Sequence, residues 1–334
     1  MTESSRPDAS SASSASSASS ASSASSLSTA SSASVATSAS TTALESPFPR
    51  SLLFVPANRP DMFAKAFASE AEAIIFDLED AVPNASKDAA REAMLSLEVP
   101  VSWTRPVFVR LNPQGGEYFE EDMRAAMNMR ASISGLVLPK VERAAQVVAV
   151  DKAIERYDAR RQSLSLILLI ETPAGVMRVA ELADCGVKRV VAFAFGTEDY
   201  RAGMRLDALD PALADFARAV VSNAAAAAGI VAIDSPLLQF DAPDVLRASV
   251  LHARAFGYTA KLAIHPVQLR TIHEAFADGA LTGGAVTGVI DRAWALRATE
   301  AYERAERDGQ GTVALDGRMI DEATMKRVRE ILKP

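Results

Sequence analysis

The sequence predicts an α/β protein in which eight parallel strands alternate with helices and close into a barrel. Short runs rich in Val, Ile, Leu and Phe recur from residue 50 onward, and segments of helical composition separate them. Polar residues follow the apolar part of most runs. Because parallel strands need long crossover connections, this alternation is typical of a (β/α)8 or TIM barrel.

Each predicted strand is a short apolar run followed by a charged or turn-forming segment. In chain order the strands are SLLFVPA (51–57), AIIFDLED (73–80), PVFVRLN (106–112), GLVLPKV (135–141), LSLILLIE (164–171), RVVAFAFG (189–196), IVAIDSP (230–236) and KLAIHP (261–266). Amphipathic segments such as SKDAAREAMLSL and APDVLRASVLHARAFG are long enough to cross back over the sheet. An open, doubly wound sheet is the competing architecture, but no G-x-G-x-x-G motif opens a helix.

Both ends of the chain differ from this pattern. Residues 1–46 carry repeated Ser-Ser-Ala units, no aromatic residue and almost no charge, which predicts a disordered tail or a start codon assigned too far upstream. We assign residues 47–280 to the catalytic barrel. Residues 281–334 contain the turn TGGAVTG and a helix near 285–308, and they are too short to fold alone. We therefore predict a C-terminal helical arm or lid.

Composition and charge exclude several functional classes. The chain has 334 residues and a formal net charge of −7, with no long basic run, so we expect no nucleic-acid binding. Its longest apolar runs fall well short of the roughly 20 residues of a membrane-spanning helix, so we expect no membrane insertion. Cys185 is the only cysteine, which excludes an internal disulfide and favours a reducing, cytoplasmic location.

Polar residues cluster at the predicted carboxyl ends of the strands, where barrel enzymes hold their active sites. They are Asp77, Glu79, Asp80, Arg110, Asn112, Lys140, Glu171, Glu198, Asp199, Asp234 and His265. Glu171 and Asp199 follow adjacent strands, and two carboxylates so placed suit Mg²⁺ with positions left open for substrate. The alternative is that Glu171 caps the helix that starts at Pro173 and that Asp199 begins a loop.

Three cationic or titratable residues at the strand ends have more than one possible role. Arg110 is suited to bidentate capture of a substrate carboxylate, and a structural ion pair with the DLED acids is an alternative compatible with that role. Lys140 is the strand-end lysine placed for Schiff-base chemistry, but the acidic pair makes that route unnecessary, so we expect a structural role. His265 is expected to shape the pocket rather than to bind metal.

Several motifs together resemble the citrate lyase β-subunit-like branch of the HpcH/HpaI aldolase family. They are RSLLFVPANRPDMFAKA, AIIFDLEDAV followed by K-x-x-A-R, VFVRLN, GLVLPKVE, LIETPAG, AFGTEDY, KLAIHPVQ and DGRMID. The resemblance runs in order from Arg50 to the C terminus, and DLEDAV, the IET and TED pair and IHPxQ are its most specific parts. Two departures are Ala57, where Gly is usual, and MIDEA, which lacks the usual proline.

The resemblance implies a Mg²⁺-dependent carbon–carbon lyase. Its substrate would be a 3-hydroxyacyl-CoA thioester such as citryl-CoA, citramalyl-CoA or malyl-CoA, cleaved into acetyl-CoA and a 2-oxo acid. The resemblance makes Glu171 and Asp199 the metal ligands and assigns the oxo-acid part of the substrate to Arg110. Lys65 and Lys87 match positions that contact the CoA phosphates, although either one alone is more simply explained as an exposed, solvated lysine.

The resemblance also implies a role for Asp321 and an oligomeric state. Asp321 matches an acid–base group that the C-terminal segment brings over an active site, whereas capping of the helix EATMKRV is the alternative. The implied assembly is a homotrimer or a multiple of trimers. Three other activities stay open. They are the β subunit of a citrate lyase complex acting on acyl-carrier-bound citrate, a malyl-CoA thioesterase or malate synthase-like enzyme, and an aldolase acting on free pyruvate-type acids without CoA. Sequence does not select the acyl group, because small acyl differences depend on pocket shape.

Overall fold

Eight parallel strands form a closed barrel in the computed structural model, which describes residues 48–156, 163–206, 211–277 and 292–332. Each strand pairs with the next along the chain, and the eighth pairs with the first. They are β1 Ser51–Pro56, β2 Ala73–Asp77, β3 Val107–Arg110, β4 Gly135–Leu138, β5 Ser165–Ile170, β6 Val190–Phe195, β7 Val231–Asp234 and β8 Ala260–Ala263. The predicted barrel is confirmed, and every strand ends one to three residues earlier than predicted.

Helices connect the strands. They are α1 Phe63–Phe67, α2 Lys87–Leu95, α3 Phe119–Asn128, α4 Ala144–Glu155, α5 Pro173–Met177, α6 Val179–Ala183, α7 Thr197–Met204, α8 Asp215–Ala228, α9 Pro243–Ala255 and α10 Gln268–Ala277. Short 3₁₀ turns lie at Pro60–Met62, Asn84–Ser86 and Pro211–Ala214. No helix in the described part of the chain is long and apolar enough to cross a membrane.

Strand residues alternate between the barrel interior and the helix layer. The interior is filled by Leu52, Ala73, Ile75, Phe108, Val137, Ile167, Leu169, Ala192, Ala194, Ile233, Ala260 and Leu262. The residues between them pack in a second, larger cluster with the helices. Because successive side chains point to opposite faces, the position two residues beyond Leu169 also points inward. That position is Glu171, at the carboxyl end of the barrel, which we call the mouth.

Residues 292–332 form a smaller structure with its own apolar core. It consists of α11 Arg292–Arg307, β9 Val313–Leu315, β10 Arg318–Ile320 and α12 Glu322–Leu332. Its core residues are Trp294, Ala295, Ala298, Tyr302, Ile320, Met325 and Val328. Asp316 and Gly317 have φ values of 52° and 74°, as a two-residue hairpin turn requires. The sequence analysis missed this hairpin, although Asp-Gly is a known signal for one. The predicted tail at 1–46 and the turn TGGAVTG lie outside the described residues.

Candidate active site

Arg110 lies at the end of β3 and is fixed by contacts on two sides. It is 9% exposed, and its Nε and Nη2 donate to the two oxygens of Asp77 at 2.7 and 2.6 Å. Its Nη1 lies 2.9 Å from Oε2 of Glu79. The guanidinium also stacks on the ring of Phe54, at 4.6 Å from the ring centroid. The predicted ion pair with the DLED acids is therefore confirmed, and it holds the guanidinium in one orientation.

Glu171 is buried at the mouth, where it is 2% exposed. Its Oε1 accepts the backbone N–H of Lys140 at 2.8 Å. A Cβ atom at Gly196 would lie 2.5 Å from Oε2 of Glu171, so the glycine provides the space that this carboxylate occupies. The alternative in which Glu171 caps α5 is wrong, because Thr172 is the cap and accepts the N–H of Gly175 at 2.9 Å.

Asp199 lies in the first turn of α7, so the expectation that it begins a loop is wrong. It is half-buried, and no hydrogen bond to its carboxylate is found among the described residues. The neighbouring Glu198 is exposed and forms an ion pair with Arg201 at 3.9 Å, as expected for a solvated residue. The two acids of TED therefore differ: Glu198 is exposed, whereas the charge of Asp199 is one of the main causes that raise the pKa of Glu171.

The carboxyl groups of Glu79, Glu171 and Asp199 lie close enough at the mouth for their negative charges to repel one another. Burial raises the pKa of Glu171 well above its usual range, and the charges of Glu79 and Asp199 raise it further. Burial also raises the pKa of Glu79 to about 7, although Arg110 and Lys140 oppose that shift. Oε2 of Glu79 is buried without a hydrogen-bond donor, because Nη1 of Arg110 is near it but not aligned. The mouth thus carries negative charge that its cations do not neutralise.

This donor set fits a hard divalent cation. Glu171 and Asp199 offer carboxylate oxygens, the ligands that Mg²⁺ prefers. Among the residues that the structure describes, no three His, Cys, Asp or Glu side chains converge to hold a metal. The protein would therefore supply two ligands and leave positions for water and substrate. Neither Glu171 nor Asp199 forms an ion pair within the part of the chain that the structure describes, so their charge is what a bound cation would neutralise.

The comparisons with known proteins agree with this site. The family model described as HpcH/HpaI aldolase/citrate lyase matches residues 50–266. The chain belongs to this family. The citrate lyase subunit beta-like protein of Deinococcus radiodurans is 33% identical over 292 residues, which cover 85% of this chain and 96% of that protein. The citrate lyase subunit beta of Escherichia coli K12 is 31% identical over 290 residues, covering 85% and 92% of the two chains.

Two further members of the HpcH/HpaI family carry more specific names. The L-malyl-CoA/beta-methylmalyl-CoA lyase of Rhodobacter capsulatus is 29% identical over 311 residues, covering 85% of this chain and 93% of that protein. Among solved structures, CitE of Mycobacterium tuberculosis in complex with magnesium, acetoacetate and coenzyme A matches with a TM-score of 0.67 at 28% identity. That match covers 85% of this chain and 96% of CitE.

The two lysines that the family resemblance assigns to CoA differ in their surroundings. Lys65 is exposed on α1, as expected. Lys87 is only 4% exposed, so the expectation of a solvated lysine is wrong for it. Its Nζ donates to the carbonyl oxygens of Leu78 and Glu79, both at 2.7 Å, and to Oδ1 of Asn112 at 2.9 Å. The ammonium group therefore joins the loop that follows β2 to Asn112, which follows β3, an arrangement that sequence spacing does not reveal.

One residue grouped with the mouth by sequence, Asp234, faces away from it, while the expectation that His265 shapes the pocket stays a prediction. Asp234 is fully buried and faces the helix layer, where its carboxylate binds Lys261 and accepts a hydrogen bond from Nε of Arg218 at 3.2 Å. His265 is exposed, and its ring stacks on Phe240 with 4.7 Å between centroids. Asp234 was misplaced because it lies inside β7 and next to the inward-facing Ile233, so its own side chain points outward.

Asp321 directly precedes α12. Its Oδ1 accepts the backbone N–H of Thr324 at 2.8 Å and the hydroxyl of the same residue at 2.9 Å. These hydrogen bonds hold the pKa of Asp321 below its usual range. The capping alternative is therefore confirmed, while the acid–base role of Asp321 stays a prediction.

Proposed function

We propose that this protein is a Mg²⁺-dependent carbon–carbon lyase that cleaves a 3-hydroxyacyl-CoA thioester into acetyl-CoA and a 2-oxo acid. The observation that carries the proposal is the buried carboxylate of Glu171, which lies beside two further carboxyl groups at a barrel mouth with uncompensated charge. The names of the citrate lyase and malyl-CoA lyase relatives, and the CitE complex with magnesium and coenzyme A, support the reaction class. Citryl-CoA, citramalyl-CoA and malyl-CoA are the candidate substrates.

Glu171, Asp199 and Arg110 would bind the part of the substrate that becomes the oxo acid. The two carboxylates would hold Mg²⁺, which when bound supplies Lewis-acid stabilisation of negative oxygen. A guanidinium has five N–H donors, and Asp77 uses two of those of Arg110. Glu79 lies against Nη1, and the N–H groups that neither acid uses would donate to the substrate carboxylate from a guanidinium that Asp77 and Phe54 already hold in place.

Cleavage removes the proton of the 3-hydroxyl group while the bond to the thioester α-carbon breaks. The products are a 2-oxo acid and the enolate of acetyl-CoA, whose α-carbon then takes a proton. We assign the proton transfers to Asp321. Its carboxylate, which the lowered pKa keeps ionised at neutral pH, would take up the 3-hydroxyl proton through water and then give it to the α-carbon, which restores the carboxylate. In the reverse, condensing direction the same carboxylate would remove the proton from the α-carbon.

The CoA part of the substrate would meet the loops at the mouth. Lys65 is exposed and can approach a phosphate. Lys87 would have to leave three acceptors to do so, and we therefore assign it to holding the loop after β2 rather than to a direct phosphate contact.

The test is to incubate the purified chain with malyl-CoA, citramalyl-CoA and citryl-CoA, in Mg²⁺ or in EDTA, and to measure 2-oxo acid formation. We expect turnover of at least one thioester in Mg²⁺ and none in EDTA. Asp199→Asn should abolish turnover, whereas Glu198→Gln should keep it, because the exposed Glu198 lies next to the site without joining it. Absence of turnover with all three thioesters would contradict the proposal.

A citrate lyase subunit is the second candidate, supported by the name of the Escherichia coli relative. In that case the chain would act on citrate carried by an acyl-carrier protein, which presents the same phosphopantetheine arm as CoA. Turnover of a citryl-carrier protein without turnover of free CoA thioesters would favour this candidate. Release of free CoA without any 2-oxo acid would instead indicate a thioesterase or a malate synthase-like reaction.

We further propose a homotrimer, or a multiple of trimers, in which each C-terminal segment covers the mouth of a neighbour, and a cytoplasmic location. The separate core of residues 292–332 supports a segment that can act as a unit. Mixing inactive Glu171→Ala chains with inactive Asp321→Ala chains tests the arrangement. Activity should return after subunit exchange if the segments act on neighbours, and it should stay absent if each segment serves its own barrel.

A further inference from the structure

Lys140 has a backbone conformation that is unusual for a residue with a side chain. Its φ is 51°, in the left-handed region that Cβ atoms disfavour. The other two non-glycine residues with positive φ in the described part of the chain have ordinary reasons, since Arg205 ends a helix and Asp316 lies in the hairpin turn. Lys140 lies at neither kind of position. Its conformation instead directs its N–H to Oε1 of Glu171, at 2.8 Å.

The side chain of Lys140 contacts a different carboxylate. Its Nζ donates to Oε1 of Glu79 at 2.6 Å and lies 3.4 Å from Oδ1 of Asp80. The second oxygen of Glu79 lies 2.9 Å from Nη1 of Arg110. Glu79 is thus held between two cations, whereas Asp199 has no hydrogen-bond donor among the described residues. One residue, Lys140, therefore fixes Glu171 through its backbone and Glu79 through its ammonium group.

Glu79 has the chemistry of a third metal ligand. It is a buried carboxylate, 3% exposed, and its Oε2 has no hydrogen-bond donor aligned with it. Yet no three carboxylates converge among the described residues. The ion pair with Lys140 explains why Glu79 does not converge with the other two carboxylates. A carboxylate already bound to an ammonium group is also a poorer ligand for a cation.

We propose that Lys140 is a positioning residue that keeps Glu79 out of the coordination sphere of the metal. Only Glu171 and Asp199 then bind the ion, and positions stay open for the two oxygens of the substrate. This inference rests on the proposed Mg²⁺ site. A third protein carboxylate would hold the ion more tightly and take one of the open positions.

The test uses Lys140→Gly and Lys140→Met. Glycine retains the N–H to Glu171 and accepts the positive φ, so Lys140→Gly removes the side chain with its ammonium group, keeps the backbone contact, and should fold even if Lys140→Met does not. Both variants should bind Mg²⁺ about tenfold more tightly by calorimetry, as an added carboxylate ligand predicts. Bound Mn²⁺ should show fewer inner-sphere waters by proton relaxation, and KM should rise. Lys140→Arg should restore the wild-type values, and Lys188→Met, at an exposed lysine before β6, should change nothing.

Removal of a positive charge could by itself strengthen Mg²⁺ binding, so Glu79→Gln is needed in both backgrounds. If Lys140 restrains Glu79, this change should weaken Mg²⁺ binding far more in Lys140→Gly than in the wild type. An equal effect in both backgrounds, or an unchanged number of inner-sphere waters in Lys140→Gly, would overturn the inference. Failure of the wild-type chain to bind Mg²⁺, or binding that survives Glu171→Gln, would instead overturn the proposed metal site.

Discussion

Two buried clusters of charged residues lie at the strand ends, and they differ in how well positive charges offset negative ones. In the helix layer, the carboxylate of Asp234 binds Lys261 and Arg218, and Arg218 also binds Asp215, so two cations face two carboxylates. The pKa of Asp234 is lowered. At the mouth, the pKa values of Glu79 and Glu171 are raised, because burial and mutual repulsion outweigh their cations. The comparison shows that a buried ion pair alone does not mark a function. An excess of buried charge of one sign does indicate a functional site, because a bound ion or substrate of opposite charge is needed to neutralise it.

The pKa of Lys261, one of the two cations that bind Asp234, is also shifted. Burial lowers the pKa of Lys261 even though Asp234 opposes that shift. The charge of Arg218, which binds the same carboxylate, lowers that pKa further. Arg218 has a second carboxylate partner in Asp215, whereas Asp234 is the carboxylate that Lys261 binds, so the loss of Asp234 should affect Lys261 most.

The largest expected effect comes from removing charge at the mouth. Glu171→Gln should lower kcat/KM by about 10³-fold, a magnitude typical of lost electrostatic stabilisation in a buried site. The free energy of unfolding of the metal-free protein should rise or stay unchanged, because the substitution removes a repelled charge. Steady-state kinetics and urea unfolding in EDTA measure the two quantities. Wild-type activity in Glu171→Gln would show that the negative charge at the mouth is not needed for function.

The opposite outcome is expected in the helix layer. Asp234→Ala should lower the free energy of unfolding by about 3–5 kcal/mol, because it leaves the buried ammonium group of Lys261 without a carboxylate partner. Urea unfolding measures the loss, and Asp241→Ala, at an exposed position before α9, is the control. Replacing the pair together, as Asp234→Leu with Lys261→Met, should recover much of the stability. A stable Asp234→Ala protein would show that this cluster is not structural.

The two clusters should also respond to pH with opposite sign. The folded pKa of Glu79, about 7, lies above its usual value of 4.5, so the folded state prefers the protonated acid. Its stabilising contribution is complete below pH 4.5 and is lost as the pH rises through 7. The shift corresponds to about 3 kcal/mol. Asp234, with its lowered pKa, contributes stability above its unfolded value and loses it as the pH falls.

Urea unfolding in EDTA at pH 5 and pH 8 measures this difference. The wild-type chain should lose more stability between these values than Glu79→Gln does, since the amide does not titrate. Added Mg²⁺ should reduce the loss, because it binds ionised carboxylates. Identical pH profiles for the two proteins would show that Glu79 is not strained when ionised.

The smallest effect on stability concerns Asp321, which belongs to neither cluster. Asp321→Ala should cost about 1 kcal/mol, because it removes a helix cap. Asp321→Asn should keep the cap, since Asn and Asp are equally good caps, while removing the ability to exchange a proton. Thermal unfolding and steady-state kinetics separate the two roles. Full activity in Asp321→Asn would leave capping as the only function of this residue.

Sequence alone determined the elements of the barrel and the inward direction of Glu171. Eight apolar runs with long crossovers have few arrangements other than a closed parallel sheet, and polarity at a strand end indicates the mouth. Arg110 was also found, because an arginine that ends a buried strand needs acidic partners and DLED ends the adjacent strand.

Tertiary structure alone decided how the charges pair. The burial of Lys87, the outward direction of Asp234 and the positive φ of Lys140 were not visible in the sequence. Parallel strands are buried on both faces, so they lack the alternation of polar and apolar residues that would tell which face a charge occupies. Which cation reaches which carboxylate depends on loop conformations and on contacts between residues far apart in the chain. Local sequence does not encode these contacts, because the free energy of each ion pair depends on the burial and the neighbours that the complete fold creates.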